Sequence, residues 1–180
     1  MRSYQAQHPE GVKTNTLGKG AYQSPMTLTK QPEIAPVFDF AIQMGMKAAF
    51  DLQFVDCDVH ITAAWCNIAS DESAMQYEHI HQDTFHGIFY LKVPKKEENQ
   101  GKMILSNPAI NPLWQGQMLS NRINKFTASK MRITPREGCI FLFPSHIPHG
   151  VEPTLTNDEE RISIAFNLIC IPKEYVQHTK

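Results

Sequence analysis

Residues 78–94 read EHIHQDTFHGIFYLKVP, in which alternating histidines lead into an apolar run. The run GIFYLKVP (87–94) is short, β-branched and aromatic, and bounded by turn residues, which is typical of a β-strand. Similar runs lie elsewhere in the chain: HITAAWCNIA (60–69), EHIHQ (78–82), GKMILSNP (101–108), GCIFLFPS (138–145) and RISIAFNLI (161–169). Several short strands with no helix between them predict an all-β sandwich, jelly roll or barrel.

The pattern upstream of these strands is different. From about Glu33 to Leu52, apolar residues recur at helical spacing with Pro36 in the first turn, so one amphipathic helix is predicted there. Residues 1–30 are polar and show no period, which indicates an N-terminal arm preceding a single domain at 31–180. The irregular insertion at 108–119, which contains Trp114, is expected to border the substrate entrance.

Composition excludes some function classes. Apolar residues make up 42% and charged residues 19% of the chain, and the formal net charge is −1. A nucleic-acid-binding protein would need a clustered excess of Lys and Arg, so no nucleic-acid partner is expected. No segment approaches the roughly 18 uninterrupted apolar residues of a membrane span, so no membrane association is expected. The four cysteines form no C-x-x-C pair that would indicate a zinc or redox site.

A candidate metal site begins at the alternating histidines. On a strand, period-2 geometry would point His79, His81 and Asp83 to one face. A further ligand should come from another strand, and His149, at the end of the apolar run 140–143, is the natural candidate. Two histidines and one carboxylate on one face of a metal form the facial triad of non-haem iron(II) oxygenases.

A candidate carboxylate receptor follows downstream. Arg161 lies twelve residues after His149, and Ser163 shares its strand face by the same alternation. A guanidinium fork beside a hydroxyl is well suited to binding a carboxylate, such as the distal carboxylate of 2-oxoglutarate. Taken alone, Arg161 would be interpreted as a surface arginine paired with an acidic residue at 158–160; taken with the histidines, the receptor hypothesis is stronger.

The motifs together resemble the 2-oxoglutarate/iron(II) oxygenases related to prolyl hydroxylases, in particular a compact group from bacteria and phages of marine bacteria. The resemblance covers roughly residues 60–170 and rests on five pieces in order: W-x-N (Trp65, Asn67), H-x-H with GIFYLKVP (79–94), G-x-x-x-L-x-N-P (101–108), GCIFLFPS with His149 (138–151), and RISIAFN (161–167). It implies an all-β core with an N-terminal helix, folded as a double-stranded β-helix (jelly roll, cupin-like). It also implies Fe(II), 2-oxoglutarate and O2 as cofactors, with Arg161 holding 2-oxoglutarate and Ser163 and Tyr90 helping.

The resemblance leaves two ligand sets open, because the group shows H-x-H whereas the broader superfamily uses H-x-D. The sets are His81, Asp83 and His149, which the commoner pattern favours, and His79, His81 and His149. Trp65 is interpreted as a core anchor, and no role is assigned to His86.

The expected activity is hydroxylation of an unactivated C–H in a peptidyl, amino-acid or small-molecule substrate, with release of succinate and CO2. Two alternatives are a non-catalytic cupin-like binding module and a three-histidine oxygenase that does not use 2-oxoglutarate. We expect a cytoplasmic protein, bacterial or in the host cytoplasm if phage-encoded, and a homodimer is compatible with the sequence.

Overall fold

The structure is a computed structural model that describes residues 1–14, 16–70, 73–108, 128–154 and 158–176. Within these ranges, the helices are α1 (Arg2–Gln7), α2 (Ala35–Asp51) and α3 (Lys173–Val176). The strands are β1 (Ala21–Gln23), β2 (Cys57–Ala69), β3 (Gln76–His79), β4 (Phe85–Lys92), β5 (Met103–Ser106), β6 (Lys130–Ile133), β7 (Ile140–Pro144), β8 (His149–Val151) and β9 (Arg161–Pro172).

The strands form two antiparallel sheets. One has the order β1-β2-β9-β4-β7 and the other has the order β3-β8-β5-β6. The protein therefore has a mostly antiparallel β core with one long helix, as the sequence predicts. None of the helices in the described ranges combines the length and apolar character that a membrane crossing requires.

Strand β9 lies in the middle of the five-stranded sheet, and residues 161–168 are all buried. Alternation gives this strand two different faces. Its even-numbered side chains from Ile162 to Leu168 join the apolar cluster that includes α2. Arg161 and Ser163, in contrast, line a cavity on the other face. One strand thus supports both the core and the candidate site.

Helix α2 packs on the outer face of this sheet. Phe38 contacts Phe166 edge-to-face, with ring centroids 6.5 Å apart. A Cβ added at Gly45 would lie 2.9 Å from Leu168 Cδ1 and 3.0 Å from Val59 Cγ1. Glycine therefore permits close approach of the helix to the sheet, which offsets its low helix propensity.

The sequence predictions agree with most of these elements. The helix predicted from about Glu33 to Leu52 is α2, and six predicted runs coincide with strands. The main difference is that β3 ends at His79, whereas the prediction carried it to residue 82. Strands β1, β6 and β8 and helices α1 and α3, each 3–6 residues long, were not predicted. The predicted entrance insertion with Trp114 lies almost entirely at 109–127, outside the described residues.

Candidate active site

Two of the candidate metal ligands face each other across neighbouring strands. His79 on β3 and His149 on β8 are directly paired in register, and their ring centroids lie 4.5 Å apart. His79 Nδ1 lies 2.7 Å from the carbonyl oxygen of Tyr77, and His149 Nδ1 lies 3.0 Å from that of Ile147. Because a carbonyl only accepts, each Nδ1 is the donor, which leaves Nε2 as the ring nitrogen that can face a metal.

His81 completes this group from the segment that follows β3. Its backbone N–H donates to the carbonyl oxygen of Ser145, and its buried Nε2 has no hydrogen-bond partner among the described residues. The candidate ligand nitrogens of His79, His81 and His149 all lie within 4.8 Å of one another. The sequence therefore identified three residues that the structure brings together.

Burial keeps two of these rings neutral. Desolvation, followed by the charges of the neighbouring histidines, lowers the pKa of His81 to about 4. Burial likewise lowers the pKa of His149 to about 4, although its bond to the Ile147 carbonyl opposes the shift. A metal binds the neutral imidazole, so both rings are in the ligating form at neutral pH.

The structure does not bring Asp83, a member of the favoured ligand set, into this group. Its Oδ1 accepts a hydrogen bond of 2.7 Å from Thr62 Oγ1, and no carboxylate joins the three histidines in the part of the chain described. The physical reason is that β3 ends at His79, so strand alternation does not extend to residue 83. The structure thus assembles the second set, His79, His81 and His149.

A fourth histidine, to which the sequence interpretation gave no role, supports His81 from one side. The His86 ring is stacked on His81, with centroids 4.1 Å apart and planes within 8°. His86 Nδ1 lies 2.7 Å from Asn167 Oδ1, on the residue paired with it across β4 and β9. Desolvation holds the pKa of His86 well below its usual range. Its alternation with Ile88 and Tyr90 on β4 was the sequence signal for its inward position.

Arg161 is 5% exposed and lies in the same cavity as His79 and His81. Its Nη1 donates to the carbonyl oxygens of Gly101 (2.8 Å) and Gln100 (3.3 Å), which fixes the guanidinium. A Cβ at Gly101, where φ is +65°, would lie 2.3 Å from Nη1, so only glycine leaves this space free.

Among the described residues, the buried guanidinium has no anionic partner. No carboxylate forms an ion pair with Arg161 within the described ranges, in contrast to the acidic-neighbour alternative considered from sequence. Desolvation lowers its pKa from the ordinary value, and the nearby Tyr90 opposes this shift. An unpaired buried cation is costly, and a bound carboxylate would offset that cost.

Ser163 and Tyr90, which the resemblance names as helpers of Arg161, lie in the same cavity as that residue. They are paired across β9 and β4, both are buried, and both line the cavity that contains Arg161. Burial raises the pKa of the Tyr90 phenol to about 12, so its hydroxyl remains a donor at neutral pH. The two hydroxyls supplement the guanidinium as neutral hydrogen-bond donors.

The donor set defines a class of site. Three imidazole nitrogens suit a divalent transition metal such as ferrous iron, and the unpartnered His81 Nε2 is the buried polar atom that a metal would satisfy. The guanidinium in the same cavity suits a carboxylate of a small organic acid. The fold and site are thus those of a metalloenzyme with an organic-acid cosubstrate.

Sequence comparison identifies the family. A family profile described as "Putative 2OG-Fe(II) oxygenase" matches residues 63–167, which is more than half of the chain. The chain belongs to this family. It is a 2-oxoglutarate-dependent non-haem iron oxygenase with Fe(II), 2-oxoglutarate and O2 as cofactors, so the non-catalytic alternative is set aside. No curated protein matches the chain in sequence.

Solved structures with the same fold share little sequence with the chain. A Pseudomonas putida prolyl-4-hydroxylase is 13% identical, with TM-score 0.60 and coverage of 92% of this chain and 82% of that one. A Trichoplax adhaerens prolyl hydroxylase in complex with a hypoxia inducible factor peptide fragment is 13% identical, with TM-score 0.60 and coverage of 99% and 79%. HygX from Streptomyces hygroscopicus, with nickel, 2-oxoglutarate and hygromycin B bound, is 12% identical, with TM-score 0.54 and coverage of 93% and 76%.

Proposed function

We propose that the protein binds Fe(II) through His79, His81 and His149 and hydroxylates an unactivated C–H of its substrate, with release of succinate and CO2. The observation that carries this proposal is that one cavity joins the imidazoles of His79 and His81 to a buried guanidinium without an ion-pair partner among the described residues. Iron with 2-oxoglutarate supplies the oxidation of the C–H bond by O2. The side chains of this protein bind, orient and shield the reactants.

Each side chain has a distinct part in this proposal. Arg161 binds the distal carboxylate through guanidinium nitrogens that are not used by the Gln100 and Gly101 carbonyls, while Ser163 and Tyr90 donate further hydrogen bonds. The buried His86, held by Asn167, stacks on His81 and fixes its ring. Such supporting contacts typically change metal affinity or activity by about 10–100-fold.

The metal-ligand set combines parts of two hypotheses. The three histidines are the ligands expected for the alternative oxygenase that does not use 2-oxoglutarate. The family, and Arg161 without a carboxylate partner among the described residues, support the use of 2-oxoglutarate. Asp83, the rival ligand, bonds Thr62 and is proposed to brace the segment that carries His81.

We further propose that the two sheets form a double-stranded β-helix and that the substrate is peptidyl, an amino acid or a small molecule. Antiparallel sheets enclosing the cavity support this fold. A peptide fragment in one neighbouring structure and hygromycin B in another support these substrate classes. Cytoplasmic location remains a prediction.

The test is an anaerobic titration of the metal-free protein with Fe(II) and then 2-oxoglutarate. We expect the weak visible metal-to-ligand charge-transfer band of a chelated keto acid, its loss in His149→Ala, and its retention in His60→Ala, which changes an exposed histidine on β2. Folded, iron-loaded wild-type protein without the band would refute the proposed cosubstrate site.

A further inference from the structure

A row of four polar side chains crosses the sheet beneath the cavity. Gln23 on β1 is paired with Asn67 on β2, Asn67 is paired with Ser163 on β9, and Ser163 is paired with Tyr90 on β4. All four side chains line the cavity. The row therefore consists of two hydroxyls, from Tyr90 and Ser163, followed by two amides, from Asn67 and Gln23. Gln23 belongs to the N-terminal arm.

Two atoms on this side of the cavity are buried without a hydrogen-bond partner among the described residues. They are the indole Nε1 of Trp65, which is 4% exposed, and Oδ1 of Asn67. Trp65 lies two residues before Asn67 on β2, and its ring centroid lies 5.8 Å from that of His81. Buried polar groups are normally satisfied, so each unpaired atom indicates a missing partner. An indole N–H can only donate, so its partner must be an acceptor.

Gln23 adds a third polar group at the same edge. It is 5% exposed, and its side chain lines the cavity. The amides of Gln23 and Asn67 can each turn by 180° to present their N–H groups, because the oxygen and nitrogen are interchangeable in shape. Together with Trp65 they provide neutral hydrogen-bond donors along the part of the cavity lined by β1 and β2.

The N-terminal arm is held in place by bonds to both sheets. On the five-stranded sheet, Ser24 N donates to the Cys66 carbonyl and Cys66 N donates to Ser24 Oγ. On the other sheet, Tyr77 N donates to the Thr16 carbonyl. The arm thus spans one edge between the sheets, and its bonds to β2 and β3 fix Gln23 beside the cavity. Gln23 itself lies outside the family-matched residues 63–167.

We propose that Trp65, Asn67 and Gln23 donate hydrogen bonds to 2-oxoglutarate, so that the N-terminal arm forms part of its binding site. This inference rests on the proposed function. Trp65 donates to the end of 2-oxoglutarate nearer the histidines, and the two amides donate to the end nearer Arg161. The donors disperse the negative charge of a ligand that meets one charged side chain, Arg161, among the described lining residues.

The variants Trp65→Phe, Asn67→Leu and Gln23→Leu test this inference in the anaerobic Fe(II)-loaded protein. Trp65→Phe keeps an aromatic ring and removes the N–H. We expect each variant to raise the Kd for 2-oxoglutarate, read from the visible band, by about five- to tenfold, the effect of losing one hydrogen bond. Fe(II) affinity and thermal unfolding without 2-oxoglutarate should stay unchanged. Gln43→Leu, an exposed amide on α2, is the matched control and should behave as wild type.

Gln23→Glu provides a second test because it keeps the size of the side chain. A carboxylate facing a dianionic ligand should weaken 2-oxoglutarate binding more than Gln23→Leu does. Wild-type Kd values in all these variants would overturn the inference and leave the proposed function intact, whereas absent binding by the wild type would refute the proposed function itself. Equal weakening of iron and 2-oxoglutarate binding would also overturn it, since that indicates a structural effect.

Discussion

The variant Arg161→Met removes the buried guanidinium and keeps an unbranched apolar side chain in its place. Without cosubstrate, two opposing effects act on stability. The Gly101 and Gln100 carbonyls lose hydrogen bonds, at a cost of about 2–4 kcal/mol. Removing a buried cation that has no carboxylate partner among the described residues returns energy of a similar size. We therefore expect the free energy of unfolding to change by less than about 2 kcal/mol.

The same substitution should strongly weaken 2-oxoglutarate binding. Two charge-assisted hydrogen bonds to the carboxylate contribute at least about 3 kcal/mol, which corresponds to at least about a hundredfold rise in Kd. At a 2-oxoglutarate concentration about one hundred times the wild-type Kd, the ligand stabilises the wild type by about 2.7 kcal/mol. A hundredfold weaker variant gains only about 0.4 kcal/mol under the same conditions.

The assay is thermal unfolding of the anaerobic Fe(II)-loaded protein with and without 2-oxoglutarate. Arg132→Met is the matched control, because Arg132 is exposed and its ion pair with Glu152 contributes little. The control should keep the full ligand-induced shift. An Arg161→Met protein that is severely destabilised yet keeps the wild-type shift would refute the assignment, since the guanidinium would then be structural.

Three further predictions concern the metal ligands, their protonation and the glycine beside the guanidinium. Asp83→Asn should retain one iron per chain, whereas His79→Ala should lose it, as measured by metal analysis; the reverse result would make the carboxylate the ligand. Because the pKa values of His81 and His149 are lowered to about 4, the unfolded metal-free chain binds more protons than the folded one between about pH 4 and 6.5. The free energy of unfolding in urea should therefore fall as pH decreases through this window, by up to about 1.4 kcal/mol per pH unit for each ring, and a flat profile would contradict burial of neutral imidazoles. Gly101→Ala should lower stability by about 1–3 kcal/mol and weaken 2-oxoglutarate binding, because its Cβ would meet the guanidinium at a backbone φ of +65°; wild-type melting and affinity would count against this.

Periodicity in the sequence was sufficient for much of the fold. Helix α2 and the longer strands β2, β4 and β9 carry apolar patterns that persist over several turns or alternations. Strand β1 has only three residues and is defined by its pairing with β2. A tertiary contact of this kind leaves no local pattern, which explains why residues 1–30 were interpreted only as an arm.

In the site, the period-2 alternation of side chains along a strand predicts residue positions only as far as the strand continues. It correctly placed Arg161 and Ser163 on one face, because β9 continues without interruption through both residues. Applied to residues 79–83, the same rule grouped Asp83 with the histidines, although the strand ends at His79. The cross-strand pairing of His79 with His149 depends on the register between β3 and β8, which a single sequence does not encode locally.

The central position of β9 has a consequence for cosubstrate choice. Arg161 begins the strand, and Asn167, six residues later, holds the His86 ring that stacks on His81. Strand β9 is hydrogen-bonded to β2 on one side and to β4 on the other. These bonds fix the distance along the backbone between Arg161 and Asn167, which is about 20 Å for six residues of a strand. We therefore expect the protein to discriminate between keto diacids by the length of their carbon chain. Keto diacids one carbon shorter or longer than 2-oxoglutarate would leave either the guanidinium or the metal end without its full set of contacts.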